Sequence, residues 1–198
     1  MADMADWQGR VGQEWARKAA ALDILLGPVG SAGLDMLGEL GGRRVLDLGC
    51  GRGVWLDEWR KSGVNEVLGV DGDYVNRAEL AVPTDSFLAA DLTAPVATGR
   101  RFALSQSLEV GEHLPTSASE TLVGSLTDAA DRVLFSAAVV GQGGEFHVNE
   151  QPLSFWQSMF AARGYRAYDC LRPHLKNDTT AAPWYRYNSI LYVNEAGR

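Results

Sequence analysis

Cysteine is almost missing from this chain. Cys50 and Cys170 are the only two among 198 residues, too few for a disulfide framework, and Cys50 lies inside a glycine run where a thiol packs more readily than it bridges. A reducing compartment, the cytoplasm, is therefore expected. Basic residues are also in the minority: 18 Lys and Arg stand against 25 Asp and Glu, a net charge of −7 with a pI near 4.9. That balance excludes a general nucleic-acid or anionic-membrane surface, either of which needs a basic face. Long apolar runs are lacking as well. The longest small-apolar stretch, Val133 to Gly141, is interrupted by Ser136, and the first residues, Met1 to Trp7, are acidic where a secretion leader would be basic and then apolar. Neither a membrane partner nor export is expected. There is no internal repeat, low-complexity tract or charge block. What remains, 46% hydrophobic and 22% charged residues, suits one soluble domain over 1–198. It would be a monomer or homodimer with a small-molecule partner.

Apolar residues recur at helical spacing from Trp7 through Trp15, Leu22, Leu25 and Leu26 until Gly27-Pro28, and a second short helix is expected over 31–40. Residues 1–40 thus form a separate helical segment ahead of a core over 43–198. Arg43-Arg44-Val45-Leu46-Asp47-Leu48 reads as a buried strand running into Gly49-Cys50-Gly51-Arg52-Gly53. The pattern then predicts helix 54–62, strand 65–70, helix 74–81, strand 86–90, strand 102–107, helix 117–130, strand 132–139 and helix 152–163. Strands 165–171 and 185–194 close the chain, joined by a polar segment containing Pro173 and Pro183 that is too short for another typical helix. Such alternation implies an α/β fold with a mainly parallel sheet, helices on both faces, and ligands at the carboxyl ends of the strands.

The informative residues fall at those ends. Gly49-x-Gly51-x-Gly53 directly after an apolar strand lets backbone approach a ligand closely, and the next helix offers free N–H groups at its start. Asp71 closes the following strand 22 residues beyond Gly49, where a carboxylate can accept both hydroxyls of a ribose. Asp91 closes a third strand, so three consecutive strands deliver a glycine loop or a carboxylate to one rim. A dinucleotide-binding dehydrogenase would show Gly-x-Gly-x-x-Gly; here the third glycine comes one residue early and Asp47 precedes the loop, a carboxylate that suits a cationic sulfonium better than a diphosphate.

At these residues the sequence resembles the class I S-adenosylmethionine-dependent methyltransferases. Val45 to Gly53 is similar to their first motif, Gly69-Val70-Asp71 to their second, and Ala90-Asp91-Leu92 to the adenine-side turn. The resemblance implies a Rossmann-like seven-stranded sheet of order 3-2-1-4-5-7-6, its last strand antiparallel, which accounts for the terminal hairpin. It further implies S-adenosyl-L-methionine as cofactor. Asp47 and Gly49, Cys50 and Gly51 would line its methionine and ribose part, Asp71 with Gly72 the ribose hydroxyls, Asp91 the adenine amino group and Leu92 the ring edge, with Ser107 also at the donor. The segment 1–40 would fold over the cofactor as a lid, with Trp7, Gln8, Trp15 and Arg17 packing there.

After the fourth strand comes Ser107-Leu108-Glu109-Val110-Gly111-Glu112-His113. Were this stretch helical, Glu109, Glu112 and His113 would share one face at i, i+3 and i+4. His147 follows the fifth strand in a glycine-rich loop and would lie beside them. The Glu-x-x-Glu-His…His set resembles that of metal-dependent O-methyltransferases, in which two Glu and two His hold a divalent ion, here Mg²⁺, Mn²⁺, Fe²⁺ or Zn²⁺. A Lewis acid of that kind turns a hydroxyl into an oxyanion in line with the methyl group. Equally open is a metal-free enzyme, methylating N or O, in which His113 or His147 is the general base. A third reading is a catalytically silent donor-binding module. Acidity weighs against RNA as substrate and for a small polyol, sugar, phenol or natural-product scaffold. The run His147 to Gln151, with Trp156 and Trp184 to Asn188, resembles a group of bacterial class I methyltransferases, placing the chain in bacterial small-molecule metabolism.

Overall fold

The computed structural model describes residues 43–179 and 181–198; the helical lid expected over 1–40 lies outside them. Seven strands form one sheet: β1 (Arg44–Leu48), β2 (Glu66–Asp71), β3 (Phe87–Ala89), β4 (Leu104–Leu108), β5 (Arg132–Ser136), β6 (Arg166–Tyr168) and β7 (Ile190–Val193). Their spatial order is β3-β2-β1-β4-β5-β7-β6. The first five pair in parallel, and β7 runs antiparallel to both β5 and β6. This is the order and polarity expected from the sequence.

Period-two alternation sends successive strand residues to opposite layers. Val45, Leu134, Leu191 and Val193 join one core, with Trp55, Leu56 and Trp59 of α1 (Val54–Lys61) and Tyr185. Leu46, Leu48, Val133, Phe135, Ile190 and Tyr192 join the other. There they meet Leu122 and Leu126 of α2 (Ser119–Ala129) and Trp156 and Phe160 of α3 (Leu153–Ala162). Phe160 stacks on Tyr192 at 3.9 Å between ring centroids.

Three expectations are corrected. The helix over 74–81 is only a 3₁₀ turn, Arg77–Glu79. Val75 is the sole fully buried apolar side chain in 74–81, too little for an amphipathic face, and Asp71 holds the start through the Tyr74 hydroxyl while Asn76 caps the turn by accepting from the Ala78 N–H. The polar segment near the end does contain helices: α4 (Arg172–Leu175) and α5 (Pro183–Asn188). Pro183 in the first turn presets φ, and Tyr185 packs edge-on against Trp55 with centroids 5.6 Å apart. The strand expected over 185–194 is shortened to β7, because its first half is drawn into this helix. No helix of the described residues is long and apolar enough to cross a membrane.

Candidate active site

A cavity of about 660 Å³ opens at the carboxyl ends of the strands, from the loop after β1 to α5. Its floor is the glycine loop. Gly49 has φ 87°, and a Cβ there would stand 2.3 Å from a Val110 methyl, so only glycine lets the loop turn against the segment after β4. Asp71 organises this loop from the end of β2. One carboxylate oxygen accepts from the Gly51 N–H at 2.7 Å, the other from the Gly72 N–H at 2.7 Å and from the Tyr74 hydroxyl. Burial nevertheless pushes its pKa up against these three donors. Asp91 accepts from the backbone N–H and hydroxyl of Thr93 at 2.8 and 2.7 Å, and with Leu92 it walls the cavity beyond β3.

At the other end, Glu112, His113 and His147 converge, each offering one ligand atom, all within 4.8 Å of one another. The two imidazoles meet edge to face at 4.8 Å between centroids. His113 Nδ1 lies 3.4 Å from the Phe146 carbonyl. Burial, aided by neighbouring His147, drives its pKa down to about 3, so this imidazole is neutral. The Glu112 carboxyl is 1% exposed, and its Oε2 is without a hydrogen-bond partner among the described residues. Burial and then the charge of Glu109 raise its pKa well above the usual range. His147 Nδ1 faces Glu150 Oε1 at 2.9 Å. Glu150 also accepts from the N–H groups of Gly141 and Gly143 at 2.8 and 2.7 Å, and its bond to His147 lowers its pKa. Carboxylate, imidazole and cavity therefore lie in series, an arrangement that orients the ring and stabilises it when it gains a proton.

Comparison with known proteins places this geometry. A methyltransferase-domain family model matches residues 16–135, more than half of the chain. The chain belongs to that methyltransferase family. Its sheet order, with the glycine loop held beside Asp71, is the one the class I resemblance implies. No curated protein matches the sequence. Among solved structures, an O-methyltransferase family protein from Burkholderia thailandensis shares 13% identity at a TM-score of 0.61, over 88% of this chain and 59% of its own. This methyltransferase thus spans about three-fifths of that protein's length. Magnesium protoporphyrin IX methyltransferase (ChlM) from Synechocystis PCC 6803, solved with bound SAH, shares 18% at 0.60, over 98% and 89%. A putative methyltransferase from Haloferax volcanii, in complex with the Trm112 activator, shares 16% at 0.67, over 91% and 95%. At these identities the likeness is one of fold.

Not every residue singled out in the sequence reaches the cavity of the methyltransferase. Gly49, Cys50, Gly51, Asp71, Gly72, Asp91 and Leu92 line it, as do Glu109, Glu112, His113 and His147. Asp47 and Ser107 are not part of its wall; both are buried within the sheet. The face shared by Glu109, Glu112 and His113 does not form either. Only Gly111–His113 turns, as a 3₁₀ helix, and Glu109 sits at φ 56°. Its carboxylate accepts from Gln142 Nε2 at 3.1 Å and Asn188 Nδ2 at 3.2 Å, and it neighbours Glu112 without being one of the three residues whose ligand atoms converge. Asn149 neither caps α3 nor faces the cavity. It is buried, donating to the Gly111 carbonyl and the Ser119 hydroxyl at 3.1 and 3.0 Å, which ties the Gly111–His113 turn to α2. Glu150, Gln142 and Asn188 also hold side chains of this cluster; only the i, i+3 spacing of His147 and Glu150 signals one of them in the sequence.

Asp47 supports a stability prediction. Burial, partly offset by the Gln106 amide at 2.9 Å and reinforced by Asp71, raises its pKa from 3.8 to about 7. Between those values the unfolded chain has ionised Asp47 and the folded one has not. Its stabilising contribution is therefore complete below about pH 4 and falls as pH rises toward 7, by on the order of 4 kcal/mol. Asp47→Asn, which keeps an oxygen for Gln106, is expected to flatten that decline, read as urea midpoints at pH 4.5, 6 and 7.5. Equal slopes in both proteins would show Asp47 ionised in the fold.

Proposed function

We propose that this methyltransferase carries the methyl group of S-adenosyl-L-methionine to a hydroxyl oxygen of a small molecule. The observation that carries the reading is the Glu112–His113–His147 convergence, within 4.8 Å, in the same cavity as Asp71 and the glycine loop. Asp71 accepts the ribose hydroxyls, Gly49 to Gly51 pass close to the methionine part, Asp91 takes the adenine amino group and Leu92 covers the ring edge. In-line displacement forms the oxygen–carbon bond as the sulfur–carbon bond breaks. The sulfonium becomes a neutral thioether; where His147 holds no ion, the hydroxyl proton leaves to its ring and Glu150 balances the resulting charge.

The donor set fits a divalent ion: a buried carboxylate oxygen without a hydrogen-bond partner among the described residues, one imidazole held neutral, and a second imidazole oriented by a carboxylate. Glu112, His113 and His147 would hold it, and it would supply Lewis acidity toward the acceptor hydroxyl. Glu109, engaged by Gln142 and Asn188, would orient the group from beside it. The metal-free reading rests on the 2.9 Å contact between His147 and Glu150, which serves a general base equally well. Elemental analysis is expected to find one divalent ion per chain, absent from Glu112→Ala, with turnover abolished by excess chelator. Full activity in chelator would leave the His147–Glu150 pair as the proton acceptor.

A further inference from the structure

The acceptor end of the cavity is both aromatic and acidic. Trp55 of α1 and Trp184 and Tyr185 of α5 line it together, with Tyr185 5.6 Å from Trp55 and 6.2 Å from Trp184 between centroids. Their rings present negative faces, and such a corner attracts a cation. Four carboxylates stand beside the donor loop, Asp71, Asp73, Glu79 and Asp91, and three more toward the acceptor, Glu109, Glu112 and Glu145. Among the described lining residues Arg52 is the one Lys or Arg, and it lies 3.5 Å from Glu79, on the donor side.

Glu109 is the best placed of the acidic groups. Its left-handed backbone, φ 56°, is costly for a non-glycine residue. Gln142, from the loop after β5, and Asn188, at the end of α5, hold its two oxygens, and they are amides, which orient the carboxylate without cancelling its charge. It lies close enough to Tyr185 for its charge to add to burial in raising that hydroxyl's pKa.

We propose that the methyl acceptor carries a cationic nitrogen, seated between the Glu109 carboxylate and the Trp55–Trp184–Tyr185 corner, with its hydroxyl directed to His147. Gln142 and Asn188 are positioning residues for that carboxylate. Acceptors bearing a carboxylate or phosphate are rejected, since they would bring a like charge into a partly desolvated acidic wall. This rests on the transfer to oxygen described above.

Three phenols of matched size separate the cases: tyramine (cationic), 4-ethylphenol (neutral) and 4-hydroxyphenylacetate (anionic). Each is titrated into the full chain by calorimetry, with and without S-adenosylhomocysteine. Tyramine is expected to bind at least tenfold more tightly than 4-hydroxyphenylacetate, with 4-ethylphenol between. Glu109→Gln should shrink that ratio to threefold or less, and Trp184→Leu should weaken tyramine more than 4-ethylphenol. Equal or tighter binding of the anion, an unchanged ratio in Glu109→Gln, or no binding of tyramine would overturn the proposal. Methyl transfer to the three phenols is measured separately: a cation preference without methylation of oxygen sinks the transfer reading and leaves the recognition reading standing.

Discussion

Replacing His147 with alanine is expected to lower kcat by about 10²–10⁴-fold, the range lost with a positioned general base. Donor affinity should stay within about threefold. The separation follows from where the ring sits. His147 lies at the acceptor end with Glu150 at 2.9 Å, whereas the donor rim is built by Asp71 and the loop after β1. Glu150→Gln keeps a hydrogen-bonding group against His147 but removes the charge that balances a protonated ring, so a smaller loss, about 10–10²-fold, is expected. The two substitutions together should cost little more than His147→Ala alone, because they act as one unit. Single-turnover kinetics with saturating donor reads the chemical step directly. Wild-type rates in His147→Ala would remove the proton-transfer role from this cluster.

Asp71→Ala should weaken S-adenosylmethionine binding by about 100-fold or more. Two charge-assisted hydrogen bonds to a ribose are worth roughly 1.5–3 kcal/mol each, and the side chain has a second duty. It holds the Gly51 and Gly72 N–H groups and the Tyr74 hydroxyl, so its loss also loosens the loop that receives the donor. Asp71→Asn is not expected to rescue binding, since its amide would turn a donor toward a backbone N–H. Calorimetry with S-adenosylhomocysteine, on variants whose circular dichroism matches the wild type, measures both. Unchanged affinity in Asp71→Ala would remove the donor site from this rim.

The two ends of the cavity differ in how much of them could be read from the chain. The donor rim depends on local features: a glycine loop after a buried strand, then acidic residues closing the next two strands. Parallel strands with crossover connections bring those ends to one edge, so their order along the chain predicts their proximity in space. Hence Gly49, Gly51, Asp71 and Asp91 all line the cavity. Asp47 belongs to the same motif but lies in β1 with its side chain against Gln106, a matter of strand alternation and cross-strand pairing.

The acceptor end depends on contacts between segments far apart in sequence. Glu109 and Asn188 are separated by 79 positions and His113 and Phe146 by 33, and no periodicity signals such pairs. The helical face that would have gathered Glu109, Glu112 and His113 is broken by the φ 56° turn at Glu109, whose carboxylate is held by Gln142 and by Asn188 of α5. Likewise α5 forms where a strand was expected, because Tyr185 finds Trp55 and tertiary packing outweighs the strand preference of a short aromatic segment. The sequence by itself determined the α/β class and the residues of the glycine-loop rim, since both follow from alternation and from residues at strand ends, while the sheet order came with the resemblance to class I methyltransferases. Only the tertiary structure decided which carboxylates and imidazoles meet at the acceptor, because loops closed by side-chain hydrogen bonds carry no repeat by which they can be read in advance.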